Sequence, residues 1–374
     1  MSITIHQSPT GYTSAHEEVW HVVESTDKNI TGFQYVYDIY KGAELLTRVK
    51  NSPLGASKLG VLDVGNIVRS ALDSYNFPNI DAYSFDDVVQ LGADIFWTDY
   101  DVRYGQVSGV AEVSGNLASG TYRVYNNYYR SRLDKKQSEI TGAMILSNRP
   151  VENAYYVNNP VILSVFLPSG QTFARQEVIN NTVSSQYTHA GNGNAFVFGF
   201  SPSNGDTSFQ LSGSVSGIIG ALNFNKKCAK YESHTLVFLN AFGAYDSFTF
   251  VHGKLMMSNE KKKFEQMRWQ LSGNSMVEKS GFVYNEGVKT YAVKYKERMM
   301  LTTDILSTGE YNWLSELINS PQVYYLDTDG TGQQDFHPVQ ITDTDYEFKD
   351  DRINKTDTLS VTIEFSIPQN TQYR

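Results

Sequence analysis

The residues that type and spacing best place for chemistry are a histidine pair, two glycine-rich clusters and several runs of carboxylates. His16-Glu17-Glu18-Val19-Trp20-His21 holds the ingredients of a zinc protease, in which His-Glu-x-x-His sets both imidazoles one helical turn apart. Here the second histidine comes one residue late. At that spacing the rings do not share a helix face, and on a strand they point to opposite sides, so no metal is expected. Gly213-Ser214-Val215-Ser216-Gly217 carries valine where a nucleophile elbow needs its serine, and reads as a strand or turn. Gly191-Asn192-Gly193-Asn194 runs into Ala195-Phe196-Val197-Phe198, not into a helix with a third glycine. It reads as a loop, not as a phosphate cradle.

Asp327-Thr328-Asp329-Gly330-Thr331-Gly332-Gln333-Gln334-Asp335 could converge oxygen ligands on calcium. Its glycine falls at loop position four instead of six, and position twelve holds no glutamate, so a polar hairpin turn is the expectation. Asp99/Asp101 and Asp343/Asp345 could serve as acid and base in glycoside hydrolysis only at a fixed separation in space, and read as exposed acids. Trp20, Trp97 and the run Tyr125 to Tyr129 could stack on sugars or meet a neighbouring subunit, but core packing is the simpler reading for each. Cys228 lies among Lys226, Lys227 and Lys230, with neither a Cys-x-x-Cys partner nor a histidine closer than His234, and reads as structural. No catalytic, metal-binding or cofactor-binding residue is assigned, and the chain is expected not to be an enzyme.

Composition narrows the classes further. Forty acidic against thirty-one basic residues give a net charge of −9, which argues against nucleic acid as a partner. A single cysteine excludes an internal disulfide and fits folding in a reducing cytoplasm. Residues 1–10 show no basic-then-apolar leader, and no apolar run approaches the roughly 18 residues that a membrane span needs, so a soluble chain is expected. Aromatics make up 13% of the sequence, a bias toward strands.

The elements implied are mostly strands. Phe33, Tyr35, Tyr37 and Ile39 alternate with Gln34, Val36, Asp38 and Tyr40, and residues 45–50 complete a hairpin. Val64, Ile67, Val68, Ala71 and Leu72 predict a short helix within 63–75, capped by Asp63. Further strands are predicted at 94–104, 107–113, 121–128, 140–146, 161–167, 195–200, 209–219 and 235–239. Residues 259–265, rich in lysine, read either as a link or as an exposed strand entry. Trp313, Leu314, Leu317 and Ile318 predict a helix over 309–320, ended by Pro321. Residues 358–367 alternate most regularly and are expected to close a sheet. The fold expected is mainly β, with tandem immunoglobulin/fibronectin-like sandwich modules and a few short helices: 1–149 with one helix, 150–258, and a β-rich 259–374 with one helix.

Eight phrases stand out along the chain: Glu18-Val-Trp-His-Val-Val-Glu-Ser-Thr-Asp-Lys-Asn, Phe33-Gln-Tyr-Val-Tyr-Asp-Ile-Tyr, Val61-Leu-Asp-Val-Gly-Asn-Ile-Val, Met144-Ile-Leu-Ser-Asn-Arg-Pro and Val237-Phe-Leu-Asn-Ala-Phe-Gly-Ala-Tyr-Asp-Ser-Phe-Thr-Phe, then Leu301-Thr-Thr-Asp-Ile-Leu, Trp313-Leu-Ser-Glu-Leu-Ile-Asn-Ser-Pro-Gln-Val-Tyr-Tyr and Pro338-Val-Gln-Ile-Thr-Asp. In content and order they resemble structural virion proteins of bacteriophages that infect Bacteroidetes, including crAss-like phages. Ala241 and Ala244 depart from the arginine and glycine expected there. The resemblance implies a tail, ring or baseplate component, made in the host bacterial cytoplasm and carried in the virion tail. Its partners would be other tail or baseplate proteins and further copies of itself in a ring. The alternative is a carbohydrate-binding or adhesin module that recognises host surface glycan.

Overall fold

The computed structural model describes residues 2–72, 80–82, 87–93, 95–108, 111–128, 140, 142–156, 159–170, 172–179, 182–200, 207–213, 217–227, 231–265, 267–279, 288–328, 334–342, 358–365 and 371–373. Strands dominate these residues, and helix is confined to Gly65–Arg69, Thr308–Trp313 and Ser315–Asn319. No helix among them is long and apolar enough to cross a membrane. The mainly β, sandwich-type fold expected from the alternating sequence is the fold found.

The first sandwich pairs a three-stranded sheet (Ile3–Gln7, Trp20–Ser25, Gly60–Asp63) with a five-stranded one, ordered Thr13–Ser14, Ala111–Tyr125, Trp97–Ser108, Gln34–Lys41, Glu44–Asn51. Tyr35, Tyr37 and Ile39 enter its core with Tyr100, Val102 and Tyr104, as the period of two requires. Asp38 is buried too, and Arg48 on the next strand meets both its carboxylate oxygens, at 2.6 and 2.9 Å. The helix is shorter than the 63–75 span. Asp63 binds the amides of Val19 and Gly65 at the entry, while Val64 is the cap residue. The segments read as 94–104, 107–113 and 121–128 form one hairpin of Trp97–Ser108 and Ala111–Tyr125.

The middle of the molecule has two layers. Glu152–Tyr156, Gly217–Lys227, Thr207–Gly213, Thr172–Ile179 and Thr182–Ala190 form a five-stranded sheet, and Met144–Ile145, Val161–Leu167, Asn194–Phe200 and Val89–Leu91 a four-stranded one. Every residue of Val161–Leu167 is buried because each face of that strand has its own neighbour. Val161, Leu163, Val165 and Leu167 pack with Phe209, Leu211 and Phe224, while Ile162 and Phe166 pack with Val237, Leu239 and Tyr245. The segment read as one strand over 209–219 is two, and Gly213 pairs with Gly217. Gly199 lies so close to Ala82 that a Cβ there would stand 2.1 Å from the Ala82 oxygen. Gly199→Ala is expected to lower stability by about 1–3 kcal/mol through this backbone clash; an unchanged melting temperature would contradict the packing.

The third sheet follows the path Tyr245–Phe250, His234–Leu239, Val323–Thr328, Gln334–Ile341, Ser360–Phe365, Val288–Thr302, His252–Glu265, with Thr371–Tyr373 added to Val288–Thr302. The first and last strands of this path are joined by Val251 alone. Among the described residues, Tyr245–Phe250 and His252–Glu265 do not pair with each other, so the chain turns a corner at Val251 and the sheet keeps two edges. Phe238, Phe250, Leu301, Val361 and Ile363 pack there with Trp313, Leu314 and Leu317. The helix read over 309–320 is two short helices that meet at Leu314, begun by a capping box in which Ser307 Oγ accepts from the Glu310 amide. The alternation read at 358–367 is present, with Val361 and Ile363 buried, but Ser360–Phe365 lies between two strands and closes nothing.

Sheet membership runs across residues 149/150 and 258/259. Val89–Leu91 pairs with Asn194–Phe200, His234–Leu239 pairs with Val323–Thr328, and His252–Glu265 passes unbroken through 258 and 259. A polar cluster fastens the layers. Arg149, Asp246 and Glu316 are all buried; Arg149 lies over the Trp313 ring at 4.5 Å and donates to the Ser247 carbonyl. Asp246 accepts from Ser147 Oγ, and Glu316 accepts from Asn148 Nδ2 at 2.7 Å and from the Ala241 amide at 2.9 Å.

Candidate assembly surface

The strands His252–Glu265 and Val288–Thr302 run antiparallel over fourteen cross-strand pairs, from His252↔Thr302 to Glu265↔Val288. Among the described residues, Arg298 to Thr302 also pair with Ser360–Phe365, and Val288 to Glu297 carry the ribbon on past the last of those pairs. Its root is pinned by Glu364, which meets Lys296 at 2.7 Å and Arg298 at 3.0 Å and is held below the usual carboxylate range by those two hydrogen bonds. Thr371–Tyr373 adds a short third strand against Ala292 to Lys294. The ribbon continues into a separate two-stranded sheet, Trp269–Ser272 with Ser275–Glu278. Gly273, at φ +60°, opens its two-residue turn, the position where a glycine-first hairpin turn needs positive φ. At about 3.3 Å per residue, the nine pairs from Met257↔Glu297 to Glu265↔Val288 make an arm roughly 30 Å long before its tip.

Val288, Thr290, Tyr291 and Val293 favour extended backbone, and they belong to none of the four buried clusters found among the described residues. His252–Glu265 is exposed along nearly its whole length, and so is every residue of the tip hairpin. Eleven of the twenty large apolar side chains exposed among the described residues fall within 252–302, including Leu271 at 72%, Met267 at 66%, Met257 at 64% and Trp269 at 46%. Apolar exposure concentrated in this way is uncommon on the surface of a monomer. Trp269, Leu271 and Met276 share one face of the tip, because cross-strand partners and every second residue point the same way. His252–Glu265 is also an edge strand with a free row of backbone donors and acceptors, the feature that native proteins otherwise blunt or cover.

Charge sets the arm apart as well. Residues 252–302 carry ten basic and five acidic residues, +5, so the remainder of the chain carries −14. Lys261, Lys262 and Lys263 are exposed, and among the described residues no carboxylate lies within ion-pair distance of them. The 259–265 stretch, read as either a link or a strand entry, is therefore the outer part of this strand.

The residues singled out by type and spacing do not converge. His16 meets Asn126 Oδ1 at 2.9 Å, whereas His21 is sealed in the first sandwich with its two ring nitrogens 2.8 and 2.9 Å from the hydroxyls of Tyr104 and Tyr100. Burial pushes the His21 pKa from its usual 6.5 to about 4. The neutral ring is thus favoured by folding, so stability is full above about pH 6.5 and declines as pH falls toward 4, by about 3 kcal/mol. His21→Gln is expected to flatten this part of the melting-temperature profile; a variant that tracks the parent between pH 6.5 and 4 would show that His21 is not responsible.

Asp99 is held by Arg123 at 2.7 and 2.8 Å, and Asp101 accepts from Thr121 Oγ1. Asp343 and Asp345 lie outside the described residues, as do Tyr129, Cys228, residues 214–216 and the centre of the carboxylate loop, 329–333. Asp327 and Asp335, at the ends of that loop, are cross-strand partners. No group of three or more His, Cys, Asp or Glu side chains that could hold a metal occurs among the described residues. Asn194 Oδ1 accepts from Trp97 Nε1 at 2.6 Å, and Gly193 adopts φ +79° in the loop predicted there. Arg123 covers the Trp97 ring at 3.6 Å and Tyr125 is buried, so neither offers an open platform to a sugar, whereas Trp20, for which core packing is the simpler reading of the sequence, is exposed and donates its Nε1 to Glu18 at 3.3 Å.

The chain matches no family model. No curated protein matches it either. Among solved structures it is similar to fibronectin(III)-like modules of Clostridium thermocellum CbhA, at 10% identity over 62% of this chain and 96% of that one, with a TM-score of 0.18. An I-band fragment from titin is 8% identical over 79% and 93%, TM-score 0.20, and the BSP domain of a biofilm-associated protein 8% over 80% and 63%, TM-score 0.20.

Proposed function

We propose that this chain is a structural subunit of a bacteriophage particle, a tail, ring or baseplate component that works by binding further copies of itself and neighbouring virion proteins. The observation that carries the assembly part of this reading is the arm. A two-stranded ribbon with apolar side chains on exposed faces is marginal alone in water, and burying those side chains against a neighbour stabilises both partners. The phage part rests on the ordered phrases that resemble virion proteins along most of the chain. Native mass spectrometry with negative-stain images of the purified protein tests it. A discrete high-order oligomer or closed ring is expected. A stable monomer at high concentration that binds polysaccharide would instead favour the glycan-binding alternative.

A further inference from the structure

Two stretches of the sequence are strongly acidic. Residues 63–101 hold eight acidic residues against Arg69, and residues 327–351 hold eight against Lys349. The fold joins them at one place. Gln334 donates to Asp81 Oδ1 at 2.8 Å and accepts from the Ala82 amide at 2.8 Å, the Asp81 amide donates to Asp87 Oδ2 at 2.6 Å, and Asp335 stands across from Asp327. Asp81, Asp327 and Asp335 are exposed. Asp327 and Asp335 set like charges opposite one another on neighbouring strands, with the His337 ring 3.9 Å from Asp327, and the surface they share with Asp81 is complementary to a cationic partner.

We infer that the basic arm of one copy docks on the acidic pole of a second copy, a head-to-tail contact in which the strand segment Lys261 to Lys263 lies along the Asp81, Asp327 and Asp335 surface while Trp269, Leu271 and Met276 are buried. This inference rests on the assembly reading above and adds the geometry of the contact. Arm and pole are different surfaces of the same chain, so the interface is heterologous: each copy gives one arm and receives another, which closes a ring or extends a filament. The exposed lysines of the arm and the exposed carboxylates of Asp81, Asp327 and Asp335 carry opposite charges that steer encounter and fix its direction, and salt weakens them. The apolar tip supplies the burial that charge at a rim does not.

A charge exchange in the full-length chain tests it. The first variant carries Lys261→Glu, Lys262→Glu and Lys263→Glu; the second carries Asp327→Lys and Asp335→Lys. All five side chains are exposed, so the melting temperature of each variant serves as the control for folding. Each variant alone is expected to associate at least tenfold more weakly than the parent by sedimentation velocity. An equimolar mixture should recover assembly, because each arm then meets a pole of opposite sign. Two variants that assemble alone as the parent does would overturn the arm-to-pole contact while leaving the assembly reading in place. A parent that stays monomeric at every concentration would remove both. A monomeric parent that binds phosphatidylglycerol vesicles in an arm-dependent way would make lipid the occupant and overturn the inference.

Discussion

Arg149→Ala is expected to cost about 3–5 kcal/mol of stability, enough to unfold a large fraction of a marginally stable chain at physiological temperature. Arg149 is buried where three segments meet, 147–154, 240–247 and 307–316. Burial drives the Asp246 carboxyl pKa upward, and the Arg149 charge is the largest influence that opposes it. Removing the guanidinium strands Asp246 in the interior and deprives the Ser247 carbonyl of its donor, while the Trp313 face loses the group lying on it. Arg149→Met keeps the volume and the contact with Trp313 but not the charge. Its cost separates the two contributions: a loss as large as that of alanine assigns the effect to Asp246, and a small loss assigns it to packing. Urea titration of both variants against the parent measures this, and an unchanged midpoint for Arg149→Ala would contradict the part assigned to the cluster.

Trp269→Ser, Leu271→Ser and Met276→Ser together are expected to weaken self-association on the order of a thousandfold, since each side chain contributes about 1.5 kcal/mol or more when buried at a contact. The same triple variant should melt with the parent monomer. All three side chains are exposed and belong to none of the four buried clusters. This combination, assembly lost and monomer stability kept, is the signature of an interface residue. Sedimentation equilibrium and calorimetry on the same samples read both halves. A variant that assembles normally would show that the tip is exposed in the particle as well as in the monomer.

The core was legible where burial leaves a pattern. Val161–Leu167 is an unbroken apolar run because it lies between two layers, and Tyr35, Tyr37 and Ile39 alternate because the first sandwich has one dominant core. Ser360–Phe365 alternates as clearly, yet periodicity says which face is inward and nothing about which strands stand alongside, so its place between Gln334–Ile341 and Val288–Thr302 was not legible. His16 and His21 drew attention by type, but what His21 meets is decided by Tyr100 and Tyr104, some eighty residues away. The arm was the hardest element to read. Outside the four buried clusters, Lys254 to Glu265 need not alternate, and the cue was the reversal of charge against an acidic chain. The acidic pole was hidden for a related reason: its halves lie more than two hundred residues apart and are joined by Gln334, which meets both Asp81 and the Ala82 amide.

Hydrogen–deuterium exchange across a concentration series tests most directly whether the arm is the surface through which copies meet. The amides on the free edge of His252–Glu265 and those of the tip hairpin 269–278 should exchange rapidly in dilute protein and become protected as concentration rises, while Val161–Leu167 stays protected throughout. Arm amides that exchange equally fast at every concentration, in a sample that native mass spectrometry reports as assembled, would contradict the account and place the contact elsewhere on the molecule.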